Sequence, residues 1–330
     1  MRDRYFLIVI VSILSVFATV ILLISPLLDG IAMGVALAYA AKPVMRKLSK
    51  KISPNFSALL ATLLVVIPLF FIFFYGLFQG LYQLILIFSD FQNFIDRILD
   101  TMRRFGVSEE YIQRIRDYIP TVYSFLSQKF SVSVVNLTSK FIMFLLNFLL
   151  SAIVCFYALL DGEKFVKRLL SALPEGSKKT ASEFFEEVDS IFTGLWFGNL
   201  VFAIIIALIS LPFFVAFNVP YTPLLVGLMF LAAIIPVFAE WMVIAPVAVY
   251  LFTVDVYSAI YFTVIGVVFL YVIPELFIRP QFVGYASKIH PLVLLLSFIG
   301  GGLFGGVAGF FIAPMLAGIA TAIYNHFTKI

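Results

Sequence analysis

Long apolar runs constrain this chain more than any other feature of its sequence. A helix needs roughly 20 apolar residues to span the hydrocarbon core of a bilayer. Five runs approach or exceed that length: residues 5–24, 58–88, 141–160, 191–217 and 256–273. The chain is 12% charged, whereas soluble domains carry about 25% charged residues. The sequence therefore predicts an all-α, polytopic integral membrane protein, which we expect in the cell membrane.

The same composition excludes several classes of function. The single cysteine, Cys155, leaves no disulfide framework and no thiolate metal site. Two histidines, His290 and His326, do not supply a usual zinc cluster. A phosphate-binding loop ending in Gly-Lys-Ser/Thr is absent from the sequence, and so is a recognisable nucleophile–base set. We therefore expect no enzyme activity, no cofactor and no metal, and the modest net charge of +4 gives no reason to expect nucleic acid as a partner.

Charge and composition divide the chain into three regions. Residues 1–89 are N-terminal transmembrane helices, residues 90–138 an extramembrane amphipathic helical region, and residues 139–330 a transmembrane transport core. In the first region, basic residues precede the first apolar run and also fill the loop at residues 42–51. Because cytoplasmic loops are enriched in Lys and Arg, we expect the N- and C-termini in the cytoplasm.

Helix ends in the extramembrane region and after residue 160 are predicted from helix-breaking and helix-capping residues. Gly106 should end one amphipathic helix, and Ser108 followed by two glutamates should begin another that ends at Pro120. Gly162 should end the apolar helix before it. The apolar stripe of residues 90–119 indicates packing on the membrane surface or on a neighbouring subunit, which favours a homo-oligomer. A solvated spacer is the alternative.

The C-terminal third contains two long apolar segments that are interrupted near their midpoints. Residues 222–252 carry Pro236 at the centre, followed by Glu240. Residues 290–323 carry a glycine-rich break, whose glycines are Gly300, Gly301, Gly302, Gly305 and Gly306. Paired interrupted segments indicate the binding site of a transporter. A re-entrant hairpin at 222–252 is favoured over a single crossing, since it places Arg279 and Lys288 in the cytoplasm.

Three stretches carry a resemblance to a known family: "FYALLDGEKF" (156–165), "NVPYTPLLVGLMFLAAIIP" (218–236) and "RPQFVGYASKIHPLVLLLSFIGGGLFGGVAGFFIAPM" (279–315). They resemble the signatures of the autoinducer-2 exporter family of membrane transporters. The resemblance implies about eight transmembrane segments, secondary transport and oligomers, with membrane lipids and a small-molecule or ion substrate as partners. It implies export of autoinducer-2 or another small polar metabolite. The first alternative to an exporter is a sodium/proton antiporter. The second alternative is an oligomeric scaffold that does not transport.

Polar residues within the apolar runs are the candidates for substrate or ion binding. Glu275 and Arg279 lie one helical turn apart between two prolines, and a charge at bilayer depth costs roughly 2.5–3.5 kcal/mol on insertion scales. Glu275 is therefore interpreted as a coupling carboxylate or as half of an ion pair at a helix that ends near Pro280. Glu240 is either a second coupling site or the tip of a hairpin in water.

The remaining candidates are a histidine, two asparagines and the residues that interrupt the helices. His290, which precedes a proline, could sense pH or cap the last segment. Asn199 and Asn147 are expected to bond between helices, with a cavity-lining role as the alternative. Pro236 and the glycine run are interpreted as deliberate breaks in the helices, so they complete the candidate site.

Overall fold

The fold is all-α. The computed structural model describes residues 15, 19–20, 22–89, 91–104, 106–131, 134–234, 240–284 and 289–328, and these contain helices and no strand. The helices are α1 (Leu28–Leu48), α2 (Pro54–Ser89), α3 (Phe91–Arg104), α4 (Glu109–Ser131), α5 (Val134–Ser171), α6 (Glu175–Ala216), α7 (Thr222–Ile234), α8 (Trp241–Val254), α9 (Val256–Gly266, extended by three wider segments) and α10 (Pro291–Thr328). A short 3₁₀ turn, Ser25–Leu27, precedes α1.

Six helical stretches in the described chain are long and apolar enough to cross a membrane: Leu22–Leu48, Pro54–Gly76, Ser139–Ser171, Glu175–Ala216, Val256–Val283 and Pro291–His326. The helices α7 and α8 are also apolar but have only 13 and 14 residues. At about 1.5 Å per residue each measures about 20 Å, which is less than the roughly 30 Å of the hydrocarbon core. The expectation of a polytopic all-α membrane protein is confirmed.

The buried side chains form three clusters, and two of them include buried residues of the long helix α6. One cluster joins α1, α2 and α5, a second joins α1, the first half of α6 and α10, and a third joins the second half of α6 with α7, α8 and α9. Because α6 runs from the second cluster into the third, it connects the N-terminal helices to the interrupted segments.

Close packing of α1 on α5 depends on small residues. A Cβ added to Gly30 would lie 2.6 Å from the Asn147 carbonyl oxygen, and one added to Gly34 would lie 2.7 Å from that of Ser151. The Gly30 amide donates to Asn147 Oδ1 at 2.8 Å, and Asn147 Nδ2 donates to Pro26 O at 3.0 Å. The prediction that Asn147 bonds between helices is confirmed.

Of the helix ends predicted at Gly106, Pro120 and Gly162, one is confirmed and two are wrong. Gly106 follows α3 with a positive φ of 78°, which suits a glycine at a helix end. The helix α5 continues through Gly162 to Ser171, and α4 continues through Pro120 to Ser131. A mid-helix glycine costs only about 1 kcal/mol, so a glycine such as Gly162 does not by itself end a helix.

The last helix, α10, turns back on itself at Gly306. This residue has φ 59° and ψ −139°, a conformation essentially confined to glycine. The rings of Phe298 and Phe310 lie 4.7 Å apart, whereas 12 residues of straight helix span about 18 Å. The segment is therefore a helical hairpin, and the predicted glycine break is confirmed. Asp29 Oδ1 accepts from the Ala308 amide at 2.7 Å, which ties the second arm to α1.

Candidate functional site

The candidate site lies where the break between α7 and α8 meets α6 and the widened part of α9. Beyond Gly266, the helix continues as π-helical segments Val267–Val272, Pro274–Ile278 and Pro280–Gly284. The Arg279 amide donates to the carbonyl of Pro274, five residues earlier. The helix therefore does not end at Pro280, contrary to the prediction. Such π-helical turns are rare and are found frequently at functional sites.

Arg279 is the centre of this site, and its side chain is only 12% exposed. Its Nε donates to Glu275 Oε2 at 2.6 Å, its Nη1 to Asn199 Oδ1 at 3.2 Å and its Nη2 to the Ala233 carbonyl at 3.0 Å. The guanidinium carbon lies 4.2 Å from the centre of the Phe202 ring, within cation–π range. We call these residues, together with Glu240, the Arg279 cluster.

Glu240 is the most buried charged residue of the cluster, at 1% exposure. Its Oε1 lies 3.8 Å from Arg279 Nη2, which is an ion pair but too long for a hydrogen bond. Within the described residues that oxygen has no hydrogen-bond partner, and neither has Asn199 Nδ2. The alternative of a hairpin tip in water does not fit this burial, because the Glu240 side chain is enclosed by protein.

The two helices on either side of residues 235–239 both contribute to the cluster. Ala233, near the end of α7, provides the carbonyl to which Arg279 donates. Glu240 stands at the N-cap of α8, where partial positive charge favours an acid. The start of α8 therefore supplies electrostatic support for the Glu240 carboxylate.

The formal charges of the cluster do not cancel. Glu240 and Glu275 are two acids, and Arg279 is one base, so the full ionised set carries an excess negative charge. A buried excess charge is costly, and one added proton or monovalent cation would neutralise it. The Glu240 oxygen that lacks a hydrogen bond is the acceptor best placed to bind that proton or cation. Glu275 is half-exposed, at 32%, and is held by Arg279.

Gly198 allows the close approach that builds the site. A Cβ at this position would overlap with the Phe282 carbonyl, so only glycine permits α6 to contact the segment Pro280–Gly284. This contact places Asn199, the next residue, beside Arg279.

The sequence-derived candidates fall into two groups. Glu275, Arg279, Glu240 and Asn199 meet in one cluster, whereas His290 belongs to the start of α10, where its Nδ1 accepts from the Leu292 amide at 3.3 Å. That geometry matches the capping alternative for His290, and the sensor alternative stays a prediction. Pro236 lies outside the described residues.

The glycines of the break serve the hairpin and not the cluster. Gly301 meets Gly309 so closely that a Cβ on either would overlap with the other's carbonyl, whereas added Cβ atoms at Gly300, Gly305 and Gly306 would meet open space. A Cβ on Gly302 would lie 3.8 Å from the Phe310 ring.

Two groups that contact Arg279, the Ala233 carbonyl and the Phe202 ring, were not predicted from the sequence. A backbone carbonyl and an apolar ring give no local polar signal.

A second charged cluster, also missed, joins the basic end of α1 to α5 and α6. Lys42 Nζ lies 2.5 Å from Asp189 Oδ1, and Arg46 lies 3.5 Å from Asp189 Oδ2 and 3.6 Å from Glu163 Oε1. We call these four residues the Lys42–Asp189 cluster. Basic residues predicted only to mark a cytoplasmic loop thus hold three helices together.

Comparisons with known proteins agree with this architecture. The family model described as AI-2E family transporter matches residues 10–329. A "Putative transport protein" of Archaeoglobus fulgidus is 54% identical over 249 residues, which are 75% of this chain and 72% of the relative. A "Putative transport protein" of Methanocaldococcus jannaschii is 28% identical over 248 residues, 73% of each chain. No solved structure matches the chain.

Proposed function

Because the chain belongs to the AI-2E transporter family, and is thus a multi-pass membrane transporter, we propose that it is a secondary transporter that exports a small polar solute of the autoinducer-2 type against proton entry. The observation that carries the proposal is the buried Arg279 cluster, with an excess acid and one carboxylate oxygen that lacks a hydrogen bond. We assign proton binding to Glu240, and solute hydrogen bonding to Arg279 and to one of the two N–H groups of Asn199 Nδ2.

The geometry favours Glu240 over Glu275 as the coupling carboxylate. Glu275 already shares a short hydrogen bond with Arg279 at 2.6 Å, so loss of its charge would release the guanidinium. Glu240 makes only the longer contact to Arg279, and its free oxygen can gain and lose a proton with smaller rearrangement. A coupling role for Glu275 stays a prediction.

The experiment that tests this function uses purified protein in liposomes loaded with a panel of small polar solutes. Efflux is measured with and without an imposed proton gradient, for the wild type, Glu240→Gln and Glu275→Gln. Glu183→Gln, on the exposed face of α6, is the control. We expect Glu240→Gln to abolish gradient-driven efflux while the protein still assembles, and Glu183→Gln to transport normally. Full gradient-driven efflux by Glu240→Gln would reject the assignment.

A sodium/proton antiporter is the second candidate, since the excess acid of the cluster also suits a monovalent cation. It predicts sodium-dependent proton movement in empty liposomes, with no added solute. An oligomeric scaffold predicts no flux in either assay.

In the proposed orientation the Lys42–Asp189 cluster faces the cytoplasm, as the basic loop at residues 42–51 indicates.

A further inference from the structure

Three polar groups on α6 lack hydrogen-bond partners within the described residues, and they share one side of the helix. They are Thr193 Oγ1, Trp196 Nε1 and Asn199 Nδ2. Their spacing is three residues, and Asp189 lies four residues before the first, so all four lie within about a third of the helix circumference. Buried polar groups are almost always hydrogen-bonded to protein or water, so three neighbouring polar groups without hydrogen-bond partners need an explanation.

This polar side of α6 connects the two charged clusters. At one end Asp189 binds Lys42 and Arg46, and at the other Asn199 binds Arg279. Asp189 and Asn199 are ten positions apart, which corresponds to about 15 Å along the helix, and a chain of about five hydrogen-bonded water molecules could cover that distance. Trp196 packs between these ends, with its ring 5.2 Å from that of Phe311 on α10.

We propose that this side of α6 is the wall of a hydrated proton route between Glu240 and the Lys42–Asp189 cluster, with water held by Thr193, Trp196 and Asn199. The inference rests on the proposed function, since it assigns a path to the proton that Glu240 binds. The charged groups at the two ends are Arg279 and Glu275 beside Glu240, and Lys42, Arg46, Glu163 and the Tyr39 hydroxyl around Asp189.

The chemistry of the three side chains assigns each a different role. The indole N–H and the amide Nδ2 only donate, so Trp196 and Asn199 each hold a water oxygen and leave that water's protons free to move on. The Thr193 hydroxyl both donates and accepts, so it can relay a proton. The Glu240 carboxyl gives its proton to the first water, each water passes one on, and the last proton reaches the Asp189 carboxylate or bulk water. Glu240 is left as a carboxylate.

The functional test compares two conservative variants with a matched control. Thr193→Val removes the hydroxyl at nearly constant volume, and Trp196→Phe removes the indole N–H but keeps an aromatic ring. Thr321→Val is the control, because the Thr321 hydroxyl is half-buried and already donates to the Ala317 carbonyl of its own helix at 2.9 Å. Proton uptake into liposomes is followed with an internal pH-sensitive dye. We expect both variants to slow uptake about two- to tenfold, the effect of one lost hydrogen bond, and Thr321→Val to match the wild type.

A second measurement detects the water itself and needs no transport. The chain has two tryptophans, so Trp241→Phe leaves Trp196 as the single tryptophan, whose emission can be excited selectively. On mixing with D₂O, we expect prompt exchange of the indole N–H and a prompt rise in Trp196 emission. A Trp196 emission that stays unchanged for hours would mean a dry site and would overturn the route.

The outcomes separate this inference from the proposed function. If Glu240→Gln is inactive while Thr193→Val and Trp196→Phe take up protons at the wild-type rate, the route is wrong and the proposed function stands. If Glu240→Gln is fully active, the assignment of the coupling proton to Glu240 in the proposed function fails, whatever Trp196 reports.

Discussion

At the scale of single residues, Arg279 carries the most interactions in the site. It binds groups from α6, α7 and α9 and approaches Glu240 at the start of α8. A planar guanidinium with five donors suits this task, whereas an ammonium group provides a point charge on a flexible stem. Arg279 therefore acts both as a counter-ion and as a connection between helices.

Loss of this cation should destabilise the protein because it leaves a buried acid unpaired. We expect Arg279→Gln to lower stability by about 3–5 kcal/mol, measured as the free energy of unfolding of the detergent-solubilised protein. Adding Glu240→Gln should recover part of that loss, since the buried charge disappears. Arg114→Gln is the control, because Arg114 pairs with Glu110 on an exposed helix face at 2.6 Å and such pairs contribute about 0–1 kcal/mol. Additive effects of Arg279→Gln and Glu240→Gln would show that the two side chains are not coupled.

Asn147 should matter for stability and not for transport. It bonds to the Gly30 amide and to the Pro26 and Met143 carbonyls. Interhelical hydrogen bonds in membrane proteins contribute about 0.6 kcal/mol on average and up to about 1.7. We expect Asn147→Leu to lower the melting temperature, and Asn55→Leu, at an exposed position, to leave it unchanged. A melting temperature for Asn147→Leu equal to the wild type would contradict the role assigned here.

At the scale of elements, the α10 hairpin depends on glycines whose roles differ. Gly301 and Gly309 lie at the contact between its two arms, Gly306 adopts a positive φ, and Gly300 faces open space. The sequence predicted a break in this segment from the density of glycines. It could not predict which glycine forms the turn, because that depends on which arm residues meet.

A series of alanine substitutions separates these roles. We expect Gly301→Ala and Gly309→Ala to lower the melting temperature most, because each new methyl would overlap with backbone. Gly306→Ala should cost roughly 1–3 kcal/mol of backbone strain. Gly300→Ala is the matched control and should be neutral or slightly stabilising, since alanine restricts the unfolded chain more than glycine does. Equal melting temperatures for Gly300→Ala and Gly301→Ala would show that the arms do not meet in the membrane.

At the scale of the whole molecule, orientation and assembly follow from surfaces that the fold leaves exposed. The residues Tyr111, Ile115 and Tyr118 of α4 are exposed and recur at alternating spacings of four and three, which places them on one helix face. Such a face is suited to a second copy of the chain. We predict a homo-oligomer in mild detergent and in lipid. Native mass spectrometry that finds only monomers across several detergents and lipids would refute this.

Orientation is tested by labelling single cysteines in a Cys155→Ala background. Ser53 lies in the exposed connection between α1 and α2, and Ser287 follows α9, outside the described residues. If the segment 222–252 is re-entrant, both positions should react with an impermeant thiol reagent from the cytoplasmic side only. Labelling of the Ser287→Cys variant from outside would reject the re-entrant arrangement, and the protein could still be a transporter.

Local sequence is enough to predict the membrane class, the helical fold, the two interrupted segments and the short list of polar residues within apolar runs. These properties depend on local composition, because the length of an apolar run and the positions of Pro and Gly act over neighbouring residues. Asn147 belongs here too, since an amide in an apolar helix has few ways to satisfy its hydrogen bonds.

Which of those residues meet depends on the folded arrangement of the helices. Asn199 and Ala233 reach Arg279 across 80 and 46 residues of chain, and Asp189 reaches Lys42 across 147. No periodicity in the sequence encodes such pairings, because they arise from how whole helices pack. The same packing decided that Glu240 is enclosed and Glu275 half-exposed, although both sit beside apolar runs. Burial, and with it the cost of an unneutralised charge, is a property of the assembled helices.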